Sequence, residues 1–300
     1  MSIINLGSMN LDHVYKVGHF VQPGETLPTL EMHDYFGGKG LNQSIAVAKS
    51  GAAVFHAGMA GGGSETVTAW LEENGVNCSL LGHCHEPQGH TVIQVDVHGQ
   101  NCILLFGGSN RCVSRAYITQ VLDQFQAGDW LMLQNEISQV AFAVEYGYSR
   151  GMKVVLNASP LDDALKEVNL SHLSWLIVNE LECCGLAGVE DPLEALAQLR
   201  KAYPGTGILL TLGSEGSIAS RGEEIHREPA RKVVSVDTTG AGDTYAGYFV
   251  GSLAAGKTLA ESMRTATAAA AISISRPGAS TSIPTVDEVL SVLEAGGAET

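Results

Sequence analysis

The sequence predicts a doubly wound α/β domain, a mainly parallel sheet flanked by helices, with a small inserted β-sheet lid. Three observations point there. Short apolar runs alternate with helical patterns from about residue 114 to 212, the rhythm of repeated βαβ units. Glycine is abundant, 35 of 300 residues, and much of it sits in loops beside those runs, where tight strand–helix turns are needed. Two stretches, about 13–35 and 88–106, change to a period of two and break the βα rhythm. With no internal repeat and no low-complexity linker, residues 1–300 read as a single domain, and the two period-two stretches as its lid.

The elements follow in order. Ile3–Leu6 is a short buried-type strand that delivers Asn10 and Asp12 to a strand end, where α/β proteins place ligand groups. Val14, Lys16, Gly18 and Phe20 then alternate with Tyr15, Val17 and His19. Past the turn Gln22-Pro23-Gly24-Glu25, Thr26 to Met32 is expected to return as a strand. Phe36-Gly37-Gly38-Lys39-Gly40 leads into a helix from Leu41 to Ser50, stopped by Gly51. This loop lacks Walker A spacing, and it reads equally as a ligand cradle or a plain helix entry. Ala53–Ala57 is a strand and Glu65–Asn74 a helix, and 90–106 forms a hairpin about His98-Gly99-Gln100-Asn101.

Helices at 114–125, 138–150 and 192–203 alternate with strands at 130–133, 153–156, 175–178 and 207–211. The strand ends present Asn135 and Glu136, Asn157, Asn179 with Glu182, and Thr211 with Gly213 and Gly216. Lys232–Val236 is expected as another strand. Gly240-Ala241-Gly242 then makes a tight turn, and a small-residue helix runs from Thr244 to about Ala254. Successive N–H groups in such a turn suit an anion such as phosphate. Asp243 stands at its mouth, where a carboxylate is costly unless it takes a proton from an attacking hydroxyl. The competing reading is a structural turn with Asp243 at a helix start. An alanine-rich helix at 259–275, a break at Arg276-Pro277-Gly278 and a helix at 285–294 close the chain.

Composition excludes some functions. Seventeen basic against 32 acidic residues give a net charge of −15, and no Lys/Arg block offers a nucleic-acid surface. No apolar run reaches the ~18–20 residues of a membrane span, and the N-terminus lacks the pattern of a signal peptide. Six cysteines without framework spacing read as free thiols of a cytoplasmic protein. His83-Cys84-His85-Glu86 could pair two imidazoles on one strand face, but no second ligand cluster accompanies it. Vicinal Cys183-Cys184 reads as helix packing, with redox sensing as the alternative.

Four ordered motifs together resemble the ribokinase branch of the PfkB carbohydrate kinase family. They are Pro23–Thr26 with Phe36–Gln43, Asn179-x-x-Glu182, Thr211–Gly216, and Asp237–Thr244, and the resemblance spans about residues 3–284. It implies ATP-dependent phosphorylation of a sugar's primary hydroxyl, with D-ribose the leading substrate. Deoxyribose, another small sugar or a nucleoside is the alternative, and a non-catalytic sensor a distant one. By the same resemblance Asp243 would be the general base, and the N–H groups of Gly240, Ala241 and Gly242 the anion hole. Asn10, Asp12, Gly38, Lys39, Asn42 and Glu136 would bind the sugar. Asn179, Glu182, Thr211, Gly213, Gly216 and Gly242 would border the nucleotide, with Glu182 reaching Mg²⁺ through water. Asp237, Thr239, Ser273, Arg276, Gly278 and Ser282 match a monovalent-cation site, here K⁺. The lid would close over the sugar and pair with a second lid in a homodimer. Gly61-Gly62-Gly63-Ser64, Gly107-Gly108-Ser109-Asn110, Leu41 and Ile137 depart from the family's usual residues and leave the sugar's identity open.

Overall fold

The computed structural model describes residues 1–296. Its main sheet has eight strands. In chain order they are β1 (Ile3–Leu6), β4 (Val54–Ala57), β9 (Trp130–Gln134), β10 (Lys153–Asn157), β11 (Trp175–Asn179), β12 (Gly207–Thr211), β13 (Ser217–Arg221) and β14 (Glu224–Glu228). They lie in the order β14-β13-β12-β11-β10-β9-β1-β4. The strands from β12 to β4 are mutually parallel, and β13 and β14 add antiparallel at one edge.

Alternation along each strand sends neighbouring side chains to opposite faces. Leu131 and Leu133 join a core with Ile4, Leu6, Val154, Leu156, Leu176 and Ile208. Helices α3 (Arg115–Leu122), α4 (Val140–Ser149), α5 (Glu180–Ala187) and α6 (Pro192–Ala202) cover that face. Trp130 and Met132 join Ile3, Val155, Trp175, Ile177 and Leu209 on the other face. Helices α1 (Lys39–Lys49), α2 (Glu65–Glu73), α7 (Ala241–Ala254), α8 (Leu259–Ile274) and α9 (Val286–Gly296) cover this second core. Both faces of the sheet are therefore buried, which is why its strands read as continuous apolar runs.

A second sheet of four strands stands apart from the first. It joins β2 (Asn10–Lys16), β3 (Glu31–Gly37), β7 (His90–Val95) and β8 (Asn101–Phe106) in the order β3-β2-β7-β8. The two period-two stretches thus pair with each other, through the parallel ladder of β2 and β7. Strand β3 begins only at Glu31, so the expected strand from Thr26 is largely absent. Pro28 in that stretch has no N–H to give to a ladder.

Two further expectations are corrected. Lys232–Val236 belongs to no sheet. Val234 is 85% exposed, and the N–H groups of Val236 and Asp237 both reach Ile274 O at the end of α8. Helix α7 starts at Ala241 rather than Thr244, so Ala241, Gly242 and Asp243 form its first turn. Gly61-Gly62 lies at the end of β5 (Met59–Gly62), which pairs with β6 (Gly82–Pro87). His83 and His85 are on β6, and no group of three metal-ligating side chains gathers among the described residues.

Candidate active site

The parallel strands all end on one edge of the sheet, where the crossover turns converge. Here β1 leads to Ser8 and Asn10, β9 to Glu136, β11 to Asn179 and β12 to Thr211. Helices α1 and α7 start at the same edge. They lie very close: a Cβ on Gly247 of α7 would fall 2.4 Å from Ala46 Cβ of α1. This contact brings the first turn of α7 onto the first turns of α1.

Asp243 sits in that contact and is buried. Its Oδ2 accepts from Asn42 Nδ2 at 3.0 Å, and its Oδ1 from Gln43 Nε2 at 2.9 Å. Gly240 caps α7 at φ 73°, a conformation glycine adopts without steric cost. A Cβ there would come within 3.1 Å of Ala279. Ala241 N donates to Thr238 O, and Thr244 N closes the first turn on Gly240 O. The N–H groups of Gly242 and Asp243 have no backbone acceptor, as expected in a first helical turn. Beside Gly242 the space is open, since a Cβ there would meet no atom within 4 Å.

A cleft of about 150 Å³ is lined by this turn, Asp243, Lys39, Asn157, Ser159, Asn179, Glu182, Thr211 and Thr238. Lys39 is its cation. Asp243 raises the lysine's pKa most, burial opposes, and Glu136 and Glu182 add to the rise. Glu136 accepts from Ser8 Oγ at 2.5 Å and Lys39 N at 2.9 Å, both through Oε2. Burial pushes the Glu136 carboxyl up, Lys39 and these hydrogen bonds pull it down, and Asp243 pushes it up again. The net direction is upward, so desolvation wins.

Asn10 and Asp12 lead from this edge onto the smaller sheet. Asn110 Nδ2 donates to Asn10 Oδ1 at 2.7 Å, which turns the Asn10 amide nitrogen away from Asn110. Asp12 Oδ1 accepts from Thr91 Oγ1 at 2.6 Å. Burial raises the Asp12 carboxyl against the pull of Thr91 and His13. Gly37 makes room for it, because a Cβ there would collide with Asp12 Oδ2. Gly38, at φ 90°, packs equally close to Ser8 and the backbone of Asn10.

Asn179 and Glu182 close a capping box on α5: Glu182 N donates to Asn179 Oδ1, and Asn179 N to Glu182 Oε2. Glu182 is buried yet lines the cleft, with its Oε1 outside any hydrogen bond among the described residues. Gly213 and Gly216 do not line the cleft. They turn the chain from β12 to β13, and Gly216 is required because a Cβ would meet Glu228 O at 2.1 Å.

Of the six remaining residues, Asp237, Thr239 and Gly278 are joined by hydrogen bonds. Asp237 Oδ1 accepts from Thr239 N and Thr239 Oγ1, and its Oδ2 accepts from Gly278 N at 2.9 Å. Burial raises the Asp237 carboxyl, but these hydrogen bonds outweigh it and hold the group below its usual range. Ser273 and Ser282 donate to Ala270 O and Ala279 O in the same segment. Arg276 turns away to pair with Glu288 of α9 at 2.5 Å.

Several site residues escape a reading of the sequence alone. Ser8, Thr91 and Asn110 orient Glu136, Asp12 and Asn10 from distant positions in the chain. Gln134 is buried at the end of the apolar strand β9, a polar residue in a place where a partner is obligatory. Asn135 goes elsewhere: its amide donates to Pro160 O and Asp162 Oδ1 and holds a loop.

The cleft thus places the Asp243 carboxylate and the Lys39 ammonium beside the open first turn of α7, and the whole chain is similar to known proteins. The chain is 36% identical over 298 residues to a ribokinase of Haemophilus influenzae, covering 96% of this chain and 97% of that protein. A ribokinase structure from Cryptococcus neoformans in complex with ADP has a TM-score of 0.84 at 32% identity, covering 97% and 99% of the two chains. The Arabidopsis thaliana ribokinase complexed with ribose and ATP has a TM-score of 0.85 at 27% identity, covering 98% of each. Because the model of the pfkB family carbohydrate kinases matches residues 2–286, nearly every element that builds the cleft, this chain belongs to that family and is a phosphotransferase.

Proposed function

We propose that the chain transfers the γ-phosphoryl group of ATP to the primary hydroxyl of D-ribose, giving ribose 5-phosphate and ADP. The observation that carries this reading is the meeting of Asp243, Lys39 and the first turn of α7 in one cleft. The hydroxyl loses its proton to the Asp243 carboxylate as its oxygen bonds to the γ-phosphorus, and the bond from that phosphorus to the bridging oxygen of ADP breaks. Of the anion hole expected at Gly240, Ala241 and Gly242, Ala241 N already donates to Thr238 O, so the N–H groups of Gly240 and Gly242, joined by that of Asp243 and the helix dipole of α7, stabilise the charge on the moving group. Lys39 balances the carboxylates and faces the same charge.

Asn10, Asp12, Gly38, Lys39, Asn42 and Glu136 hold the sugar. They offer amides and carboxylates to a polyol that donates and accepts at every oxygen. Asn179, Glu182 and Thr211 border the nucleotide phosphates, with Gly213 and Gly216 shaping the turn beyond them. Glu182 fits Mg²⁺: it is one buried carboxylate with a free oxygen beside a phosphate site, and magnesium keeps most of its waters. Held by Glu182 through water, such an ion would supply positive charge against the nucleotide phosphates. Asp237, Thr239, Ser273, Arg276, Gly278 and Ser282 fit K⁺ as an oxygen-only set, by hydroxyl, carboxylate and carbonyl, with Asp237 held ionised.

In this reading residues 1–300 work as one domain, with the four-stranded sheet closing over the sugar to keep water out. Strand β8 exposes Ile103, Leu104, Leu105 and Phe106, and β3 exposes Met32 and Tyr35. Exposed apolar side chains on both edge strands of the lid fit a second copy of the lid, in a homodimer. Residence in the cytoplasm suits six cysteines that are all free.

The test is ADP release with ribose, deoxyribose, fructose, adenosine and pseudouridine, with K⁺ or an inert organic cation. Ribose is expected to give a kcat/KM at least tenfold above the others, with K⁺ raising the rate. Greater turnover of a nucleoside would overturn the substrate, and indifference to K⁺ the cation site.

A further inference from the structure

Gln43, Gln134 and Asn5 form a chain of side-chain amides that ends on Asp243. Its direction is fixed at the far end. Asn5 Nδ2 donates to Gly40 O at 2.7 Å, and a carbonyl can only accept. Asn5 must therefore turn its Oδ1 toward Gln134, whose Nε2 donates to it at 2.8 Å. The same Gln134 nitrogen donates to Gln43 Oε1 at 2.6 Å. That contact turns Gln43 so that its Nε2 donates to Asp243 Oδ1 at 2.9 Å.

A branch agrees with this polarity. Asn5 Nδ2 also donates to Ser44 Oγ at 2.8 Å, and Ser44 Oγ hydrogen-bonds His56 Nδ1 at 2.7 Å. Burial lowers the His56 pKa to about 3 and keeps the imidazole neutral. Asn5, Gln43, Ser44, His56 and Gln134 are all completely buried, so water does not compete for these bonds.

We propose that Gln43 and Gln134 are positioning residues that fix which lone pair of Asp243 meets the sugar hydroxyl. This rests on Asp243 being the base. With Oδ1 held by Gln43 and Oδ2 by Asn42, the carboxylate cannot rotate about its Cβ–Cγ bond. Loss of Gln134 frees the Gln43 amide to flip and present its oxygen to Asp243, which repels the carboxylate and turns it. A misplacement of about 1 Å at a reacting group costs on the order of 100-fold in rate. Gln134 does not line the cleft, so its effect belongs in kcat and not in ligand binding.

The experiment compares Gln43→Met, Gln134→Met and the double variant for kcat, for both KM values and for thermal stability, with Asp243→Asn alongside. Each single variant is expected to lose about 10- to 100-fold in kcat with both KM values within about threefold. The double variant is expected to be no slower than the slower single one, because the residues act through one bond. Gln134→Asn keeps the polarity but shortens the reach, and should show the same kcat loss if Gln134→Met does not fold. Unchanged kcat at Gln134, losses confined to KM, or strictly additive losses overturn the inference. Near-normal turnover by Asp243→Asn overturns the assignment of the base instead.

Discussion

Asn42 Nδ2 donates to Asp243 Oδ2 at 3.0 Å, joining the first turns of two helices that lie 201 residues apart in the chain. The bond exists because α1 and α7 pack at a distance that only Gly247 allows. Removing the carboxylate's charge while leaving that packing alone is the direct test of its role. Asp243→Asn should lower kcat by about 10²–10⁴-fold, the usual yield of acid–base catalysis, and leave sugar affinity by calorimetry nearly unchanged.

Two glycines of the same turn should respond in opposite ways. Gly240→Ala forces an alanine into φ 73° against Ala279 and should destabilise the fold by ~1 kcal/mol or more. Gly242→Ala meets no atom of the protein and lies in a helix, so it should stabilise by about 0.5–1 kcal/mol. Its methyl group enters the phosphate space, and kcat/KM for ATP should fall at least tenfold. Thermal melts and steady-state rates on the two variants separate these effects.

Glu136 links stability to function with a definite sign. Its folded-state pKa is raised by burial, so the folded protein binds the proton more tightly than the unfolded chain. Ionisation is then a penalty that is absent below the unfolded value near 4.5 and grows as pH rises through the folded one. Glu136→Gln keeps an oxygen for Ser8 and Lys39 N, and its melting temperature relative to wild type should rise from pH 4 to pH 7. Sugar KM should increase about tenfold or more, the mark of a polar group kept for binding. A relative melting temperature that falls over this pH range would reject the buried-charge account.

Glu288 titrates in the opposite sense. Arg276, together with Thr285 N–H, holds its carboxyl down at about 2. The stability it contributes is present above the unfolded value near 4.5 and is lost as pH falls toward 2. Both side chains are about two-fifths exposed, so solvent screens the pair. Glu288→Gln should cost about 0.5–1 kcal/mol at pH 7, with the variant and wild type converging near pH 2 in chemical denaturation.

Leu104, 67% exposed on β8, reports on the assembly. Leu104→Asp places a charge in the proposed contact between lids and should give a monomer by sedimentation, with intact secondary structure. A wild-type protein that sediments as a monomer at micromolar concentration would remove the dimer from the reading.

The sequence by itself determined the main fold, because strands buried on both faces must be short apolar runs and the helices between them must carry one apolar face. It also singled out Asp243 at the mouth of a glycine-rich turn and Glu136 at a strand end, and the resemblance added sugar-binding roles for Lys39, Asn42 and Glu136. Lys232–Val236 misled for the same reason: a valine-rich run looks like a strand wherever it lies, yet this one runs exposed beside the end of α8. Only the tertiary structure decided which polar residues serve the carboxylates. Ser8 on Glu136, Gln43 on Asp243, Gln134 on Gln43, and Asn110 on Asn10 are contacts made across gaps of 91 to 200 residues. A hydrogen bond depends on distance and angle between two groups, and neither follows from the residues' places in the chain until the packing of helices on the sheet has set them.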